Sequence, residues 1–451
     1  MKKNLNLSVV LSTLFSTVGF SLICIWSSVA SGAELDGSTL EDFFTAAIDY
    51  SPRLKIAEES LNIGSARKRG ALGRLFPQIN ATANLSDNQR DSTAQVQNFT
   101  GERYSLQLRQ VLFDWQTFSQ RNQASLIEDQ LESEYFGELA ILLASVAEKY
   151  FNVLQAEDAL DSIDAELTAV SNQLAQIQSF YDRQLVQITD LYQAQAAMAS
   201  VESQRLQLET ELAVQREILR SATGISAGLL FRLQEDAEIP LLENSINFWV
   251  QQALKENHRI VAQEFALRAA EERISEKRGA YMPKVSLVLQ KQNSNVGFEN
   301  ALVTKSDNTY FGLDFTIPLY AGGSNRAAVS EAHSLQRIAD YELQQVQREV
   351  IERVRSAYLK IQSSETRTAA AEKFVESATL SATAMQRGFE LGTVTSVDVL
   401  NSLRDQFRAQ RDLQQTRYEH IKYLLLLKQE TGILSAEDML EVGSWLEAPT
   451  R

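Results

Sequence analysis

Glycine and proline are scarce in this chain, with 19 glycines and 6 prolines among 451 residues. Their combined share is less than half of the average, which is about 12%. Because glycine and proline mark most turns, their scarcity excludes a protein built from many short elements. The stretches 138–223 and 324–387 contain neither residue. We therefore expect long helices there.

Cysteine and histidine are almost missing. The only cysteine is Cys24, and the three histidines, His258, His333 and His420, lie far apart in the sequence. This excludes a disulfide framework and zinc sites of the Cys/His type. The acidic pairs lie in long polar segments without a histidine or a nucleophile nearby, so we find no catalytic constellation. The sequence predicts neither an enzyme nor a cofactor nor a metal site.

Positive charge is also in short supply. The chain has 43 lysines and arginines against 58 aspartates and glutamates, a net charge of −15. An acidic excess repels phosphate groups, which argues against a nucleic-acid partner. The hydrophobic residues make up 44% of the chain, which is enough for a substantial buried core.

A long apolar run occurs only near the start of the chain, at about 7–29, after the basic residues Lys2 and Lys3. Small residues follow it, so we predict a signal peptide over 1–33, cleaved after Ala30 or Ala33. The alternative is an uncleaved membrane anchor. Lipid attachment at Cys24 is disfavoured because no small residue precedes it. After this leader no stretch of about 18 apolar residues follows.

The rest of the chain is one unit written twice. Gly73 and Pro77 match Gly279 and Pro283 at an offset of 206, and the Thr-Gly-Ile motif at 223–225 recurs at 431–433 at an offset of 208. A repeat this long indicates a tandem duplication and not a solenoid. We predict a first repeat at 34–225, a linker at 226–245, a second repeat at 246–433 and a tail at 434–451.

Each repeat begins with a helical segment, at 39–73 or 246–280, and continues with two segments in which apolar and polar residues alternate. The alternation predicts strands with one apolar and one polar face, joined by polar loops at about 87–101 and 291–308. Long helices follow, the first from about 116 to 182. Their apolar positions recur every 3.5 residues, which is typical of helices that pack side by side. We expect turns at about 184–189 and 388–396, where a second helix runs back.

Four strands cannot close a barrel, and an open strand edge is not tolerated in lipid. The smallest common membrane barrel has eight strands. If these strands span a membrane, the chain must therefore oligomerise, and two, three or four copies would supply 8, 12 or 16 strands. Room for a solute favours three or four copies. The long helices would then continue the pore as a second tube outside the membrane.

Several motifs, in the same order in both halves, resemble the TolC-type outer-membrane efflux proteins. The motifs are VLFDW at 111–115, AEKYFNVL at 147–154, ITD at 188–190, PLYAGG at 318–323, LGT at 391–393 and VDVL at 397–400. The resemblance covers about 39–433. It implies a mainly helical protein whose long α-helical coiled-coil barrel continues into a transmembrane β-barrel, with four strands per chain and closure by trimerisation.

The resemblance also implies partners and a place in the cell. A homotrimer in the outer membrane would carry a helical tunnel through the periplasm and dock an inner-membrane transporter through a periplasmic adaptor protein. Such channels export drug-like molecules or, in type I secretion, unfolded protein, and the sequence leaves both open. The lipid-attachment motif of those family members that serve drug pumps is missing, which is a slight argument against a role with a drug pump. An alternative from another class of protein is an exported coiled-coil scaffold or an adhesin stalk without a pore.

The resemblance further implies that the turns farthest from the strands form a closed aperture. Asp398 and Asn401 match its acidic constriction, and only the first is acidic here. Three Asp398 carboxylates close together would repel one another and attract cations. The alternative is that Asp398 merely favours the N-terminus of the returning helix, as Asp190 would in the first repeat.

The family holds this tip shut through a tyrosine and an arginine whose positions are occupied here by Phe389 and Val394. Thr189 and Asp190 remain on the other side of the contact. Since neither a phenol hydroxyl nor a guanidinium is available, we expect closure to depend more on packing.

Five residues mark the predicted junctions between strands and helices. Gly322 and Gly323 precede a helix and could in principle cradle a phosphate. After a proline they are better interpreted as a strand-to-helix corner. The predicted junction residues are Pro77, Pro283, Pro318, Gly322 and Gly323.

Overall fold

A computed structural model describes residues 38–91, 96–234, 237, 239–295 and 306–448. The predicted signal peptide at 1–33 lies outside these residues. The helices are α1 (Leu40–Tyr50), α2 (Pro52–Gly73), α3 (Trp115–Asp182), α4 (Ile188–Thr223), α5 (Ile246–Glu256), α6 (His258–Arg278), α7 (Ser324–Glu390), α8 (Ser396–Thr431) and α9 (Ala436–Ser444). The strands are β1 (Gln78–Asp91), β2 (Val96–Phe113), β3 (Arg232–Leu233), β4 (Lys284–Asn295), β5 (Ser306–Thr316) and β6 (Leu446–Glu447).

Two helices dominate the molecule. Helix α3 has 68 residues and α7 has 67, so each is roughly 100 Å long at about 1.5 Å per residue. They pack lengthwise: α3 lies along α4, α6 and α8, and α7 lies along α6 and α8. The polar Glu157 interrupts the apolar pattern of α3. Glu157 is buried at the seam, the line along which α3 packs against its neighbours. Its carboxylate accepts a hydrogen bond of 2.8 Å from Arg216 of α4.

The prediction of a single helical segment at the start of each repeat is wrong in one respect. Each repeat begins with two helices, α1 and α2 or α5 and α6. Pro52 occupies the first turn of α2 and restricts Ser51 to an extended conformation, which ends α1. No proline stands at the matching break in the second repeat. There Asn257 caps α6 by accepting hydrogen bonds from the backbone N–H groups of Arg259 and Ile260.

The four long strands form one antiparallel sheet in the order β1-β2-β4-β5. The expected polar loops are shorter than the sequence indicates, because β1 runs to Asp91 and β4 to Asn295. Ladder hydrogen bonds join main-chain groups, so polar side chains can continue a strand once its partner is in place. Within the described residues, β1 and β5 each pair on one side only.

The register places most of the apolar residues of the four strands on one face. Ala81 lies opposite Leu106, Leu108 opposite Leu289, and Leu289 opposite Phe311. Directly opposed residues in a sheet share a face. This face is open, with Leu106 54% and Phe311 72% exposed. The other face carries many of the Asn, Gln and Ser residues, and there Arg109 Nε donates to Ser286 Oγ at 3.2 Å.

A smaller layer covers one side of the helices midway along them. It contains α1, α9 and the paired strands β3 and β6, and it shares a buried cluster with α3 and α8. Tyr150 donates its hydroxyl to the carbonyl of Phe231 at 2.9 Å, and Tyr418 donates to Asp158 Oδ2 at 2.6 Å. Burial raises the pKa of the Asp158 carboxyl, and the Tyr418 hydrogen bond opposes that shift.

One stretch of α3 is long and apolar enough to cross a membrane by length and composition. Half of that window is buried inside the protein. This is the pattern of a core helix that packs against its neighbours, as α3 does against α4 and α8.

Gly432, at the C-terminus of α8, should not tolerate a side chain. Its φ is 81°, and a Cβ there would lie 2.3 Å from the carbonyl oxygen of Glu256. We expect Gly432→Ala to destabilise the protein by about 2 kcal/mol more than Gly392→Ala, because overpacking adds to backbone strain. Gly392 has a similar φ of 73° and open space around it. Thermal unfolding of the two variants checks this, and equal loss in both would contradict it.

Candidate functional site

Two helix turns lie next to each other at the end of the molecule farthest from the sheet. The first connects α3 to α4 between Asp182 and Ile188, and the second connects α7 to α8 between Glu390 and Ser396. Left-handed backbone conformations at Gln184 and Gly392 reverse the chain in these turns. The helices behind both turns share one buried apolar cluster.

Asp398 is part of a helix cap in the second turn. Its Oδ2 accepts hydrogen bonds from the Thr395 hydroxyl at 2.6 Å and from the Thr395 backbone N–H at 3.0 Å. In return, the backbone N–H of Asp398 donates to Thr395 Oγ1 at 3.3 Å, which completes a capping box. The Thr395 side-chain bond, and then its backbone bond, hold the pKa of Asp398 below its usual value. The carboxylate is therefore kept negative at the first turn of α8, and it remains exposed.

Asp190 caps the matching helix and also connects the two turns. Its Oδ2 accepts from the backbone N–H of Gln187 at 3.1 Å, and its Oδ1 accepts from the Ser396 hydroxyl at 2.8 Å. Ser396 is only 1% exposed. The hydrogen bond between Ser396 and Asp190 thus joins the first residue of α8 to the start of α4.

Phe389 and Val394 contribute packing at the second turn. The Phe389 ring stacks on Phe180 of α3, with the ring centroids 5.6 Å apart and the planes 25° apart. Phe389 is 6% exposed, and Val394 packs against the same cluster. These apolar contacts join the two hairpins inside one chain without a tyrosine hydroxyl or an arginine.

The structure does not bring every predicted residue of this site together. Thr189 is exposed, and its hydroxyl donates to Gln187 Oε1 at 3.4 Å within its own turn. Asn401 is exposed one turn along α8 from Asp398. Sequence reasoning missed Ser396 and Phe180. The Thr-x-x-Asp spacing at 395–398 is a capping-box signal that was available, whereas nothing in the sequence paired Ser396 with Asp190.

The predicted junction residues lie where strands meet helices. Pro77 and Pro283 each directly precede a strand, β1 and β4, and Pro318 follows β5. Gly322 and Gly323 both have positive φ, 59° and 82°, and Gly323 is the residue before α7. Such angles favour glycine, which explains the pair as a corner.

The described residues contain no group of three or more histidines, cysteines, aspartates or glutamates that could hold a metal ion. Many charged side chains in this part of the chain instead form helix caps and ion pairs. The most buried pair is Glu166 with Arg411, at 2.8 Å between α3 and α8.

Residues 45–225 and 249–432 match the sequence model of the family described as "Outer membrane efflux protein". The chain belongs to this family. The two matched segments lie within the two repeats that the sequence predicts. As a member of this family, the protein is an outer-membrane protein, and the family supports a role as an exit channel.

Relatives and solved structures agree with this assignment. "Outer membrane protein TolC" of Vibrio cholerae is 27% identical over 421 residues, which cover 90% of this chain and 94% of the relative. "Alkaline protease secretion protein AprF" of Pseudomonas aeruginosa is 25% identical over 414 residues, which cover 89% and 85%. A crystal structure of CusC shares the fold with a TM-score of 0.77 at 19% identity, covering 88% of this chain and 92% of that chain.

The bond between Ser396 and Asp190 should hold the two turns together. We expect Ser396→Ala to expose the turns to trypsin, since Arg183 and Arg387 flank them. A hydrogen bond to a charged group contributes about 1.5–3 kcal/mol, so local opening should rise about tenfold or more. The measurement is the rate of cleavage at these two arginines.

Ser402→Ala is the matched control, because the Ser402 hydroxyl donates only to Val399 within α8. Unchanged cleavage in Ser396→Ala, or equal acceleration in both variants, would show that the bond does not hold the turns.

Proposed function

We propose that three copies of this chain form an exit duct of a tripartite export system. In it, the sheets close into a twelve-stranded barrel in the outer membrane, and the long helices of both repeats form a tunnel in the periplasm. Each protomer consists of two halves, the repeats at 34–225 and 246–433. The linker lies between the repeats and the tail follows the second one. The observation that carries the proposal is the sheet, which has an exposed apolar face and, within the described residues, two edge strands that each lack a partner on the outer side.

The unpaired edges supply the physical reason for oligomerisation. Unsatisfied backbone groups are too costly in hydrocarbon, so β5 of one copy must pair with β1 of the next until the barrel closes. The alternating faces then give each environment what it needs, with apolar residues toward lipid and Asn, Gln and Ser toward the pore. An adhesin stalk without a pore would have no use for the exposed apolar face.

The proposed partners come from the family, and the sequence shows no catalytic constellation that could supply energy for transport. A periplasmic adaptor protein and an inner-membrane transporter would drive transport. The exported material is protein, as in type I secretion, or small molecules. Among the relatives, one is named for alkaline protease secretion and another, CusC, for cation efflux.

The orientation of the sheet faces can be tested with one arginine on each. Leu106→Arg places a charge on the apolar face, where the proposal puts lipid, and this should cost about 2–4 kcal/mol near the middle of the membrane. We expect the yield of detergent-resistant trimer from outer membranes to fall strongly.

Gln107→Arg is the matched control, since it lies next to Leu106 on the polar face and should assemble normally. Ser286 is less suitable because it is 7% exposed and accepts a hydrogen bond from Arg109. Equal assembly of Leu106→Arg and Gln107→Arg, or a monomeric water-soluble protein, would refute the barrel.

We also propose that the paired turns form the closed inner end of the duct. Asp398 and Asn401 would line the constriction, Phe389 and Val394 would hold it by packing, and Thr189 and Asp190 would lie on the facing turn. Threefold symmetry would gather three exposed Asp398 carboxylates, while Asp190 is engaged by Ser396. The helix cap and the constriction are compatible roles, because the cap uses one carboxylate oxygen, Oδ2.

Channels reconstituted in planar bilayers test this part. We expect Asp398→Asn to reduce cation selectivity and block by multivalent cations, because three negative charges are lost from the constriction. Asp190→Asn should change selectivity much less. Selectivity that is unchanged in Asp398→Asn would leave this residue with its capping role alone.

A further inference from the structure

A basic surface lies on the side of the helices opposite α5 and the small layer formed by α1, α9, β3 and β6. On α3, Tyr150 faces that layer, whereas Glu148 and Asn152 lie on the opposite side. On α7, Val350 and Val354 pack toward α5, whereas Arg348 and Arg355 point the other way. In the proposed tunnel, one of these two sides faces the lumen. If the small layer lies outside, the basic surface faces the lumen.

Two adjoining cavities form this surface. One, of about 520 Å³, lies between α3, α7 and α8, and the other, of about 790 Å³, lies along α7. Lys360 and Tyr423 line both of them, and the Lys360 ammonium lies 5.6 Å from the centre of the Tyr423 ring. The two cavities are therefore continuous at these residues.

The cations here are unusual for their lack of acidic partners. Within the described residues, Lys422, Lys360, Arg348 and Arg355 form no ion pair, while Arg367 is paired with Glu419. Two other carboxylates line the cavities, those of Glu148 and Glu352, so the unpaired cations outnumber the unpaired anions by four to two. This excess of positive charge contrasts with the net charge of −15 of the whole chain.

Lys422 is the most enclosed of these cations. Its ammonium donates to Asn152 Oδ1 at 3.0 Å and to Gln155 Oε1 at 3.3 Å, which are neutral acceptors. An ammonium has three donors, so one remains for a further acceptor. Burial lowers the pKa of Lys422, and Glu419 and Glu148 oppose the shift. An anion beside Lys422 would offset the cost of burying its charge.

The walls next to these charges are apolar. Ile141 and Ala144 of α3 and Leu426 of α8 line the smaller cavity together with the Tyr423 ring. Sites of several hundred cubic ångströms with apolar walls and a few polar groups are typical of small-molecule binding. An inorganic ion would leave these walls unused.

We propose that this surface is a binding site for amphiphilic organic anions, in which Lys422 and Lys360 hold the acidic group and the apolar wall holds the body of the molecule. The site lies midway along the tunnel and favours the passage of such anions as a class of substrate. The inference rests on the proposed function for its position in the lumen, and the binding chemistry rests on the cavity alone.

The test uses naphthalene-1-sulfonate, which combines one negative group with one apolar body. Purified full-length protein in amphipol should bind it in equilibrium dialysis, and uncharged naphthalene-1-methanol should bind at least tenfold more weakly. Lys422→Gln should weaken sulfonate binding about tenfold, which is the effect of losing a hydrogen bond to a charged group. Glu148→Gln should strengthen it, because it removes an opposing charge.

Two variants separate this role from general damage. Lys422→Arg keeps the charge and should retain binding within about threefold. Lys373→Gln removes an exposed lysine from α7 outside both cavities and should bind as the unaltered protein does. Equal binding of the sulfonate to the unaltered protein and to Lys422→Gln, or equal binding of the alcohol, would overturn the proposal.

Channels in bilayers then test the position of the site. The sulfonate should block the current, and Lys422→Gln should raise the half-blocking concentration about tenfold. Binding in dialysis without any block of open channels would overturn the lumenal position. A protein that binds the sulfonate but forms no channels would instead refute the proposed function and leave the cavity chemistry intact.

Discussion

The lengthwise packing of α3 against its neighbours is the contact on which the rest of the structure depends. A helix of 68 residues has far more surface than it can bury alone, so α4, α6 and α8 must lie along it. The seam is specified by ion pairs with buried carboxylates as well as by apolar residues. Glu157 with Arg216 and Glu166 with Arg411 each join α3 to a different helix. A shift along the seam would leave these carboxylates buried without a partner, which costs several kcal/mol.

The same seam positions both ends of the molecule. At one end the helices continue into strands at corners that glycine and proline make possible. At the other end the helices reverse at two turns, and their shared register brings Ser396 against Asp190 and Phe389 against Phe180. Because the helices are rigid, their register along the seam fixes the positions of side chains about 100 Å apart. The basic surface at mid-height arises in the same way, since it collects side chains from three helices.

Periodic features could be predicted from the sequence, and particular contacts could not. The alternation in β1, β2, β4 and β5 indicated which residues share a face, because the period of a strand is fixed by its backbone. The ends of the strands were missed, since ladder bonds carry polar residues as far as Asp91 and Asn295. The breaks at Ser51 and Asn257 were also missed. Of the candidate site, the cap is one of the two interpretations of Asp398, and its bond to Thr395 shows this cap, whereas the constriction stays a prediction.

The sequence by itself determined the duplication, the long helices, the two-faced strands and the family. All of these are written in local patterns or in their order along the chain. Only the tertiary structure decided which charges are paired and which are not. In the sequence, nothing distinguishes Lys422, Arg348 and Arg355 from the other polar residues of long helices. Whether such a residue is paired depends on distant parts of the chain, as with Asn152, which is 270 positions from Lys422. Contacts of that kind follow from the packing of whole helices, which no local pattern encodes.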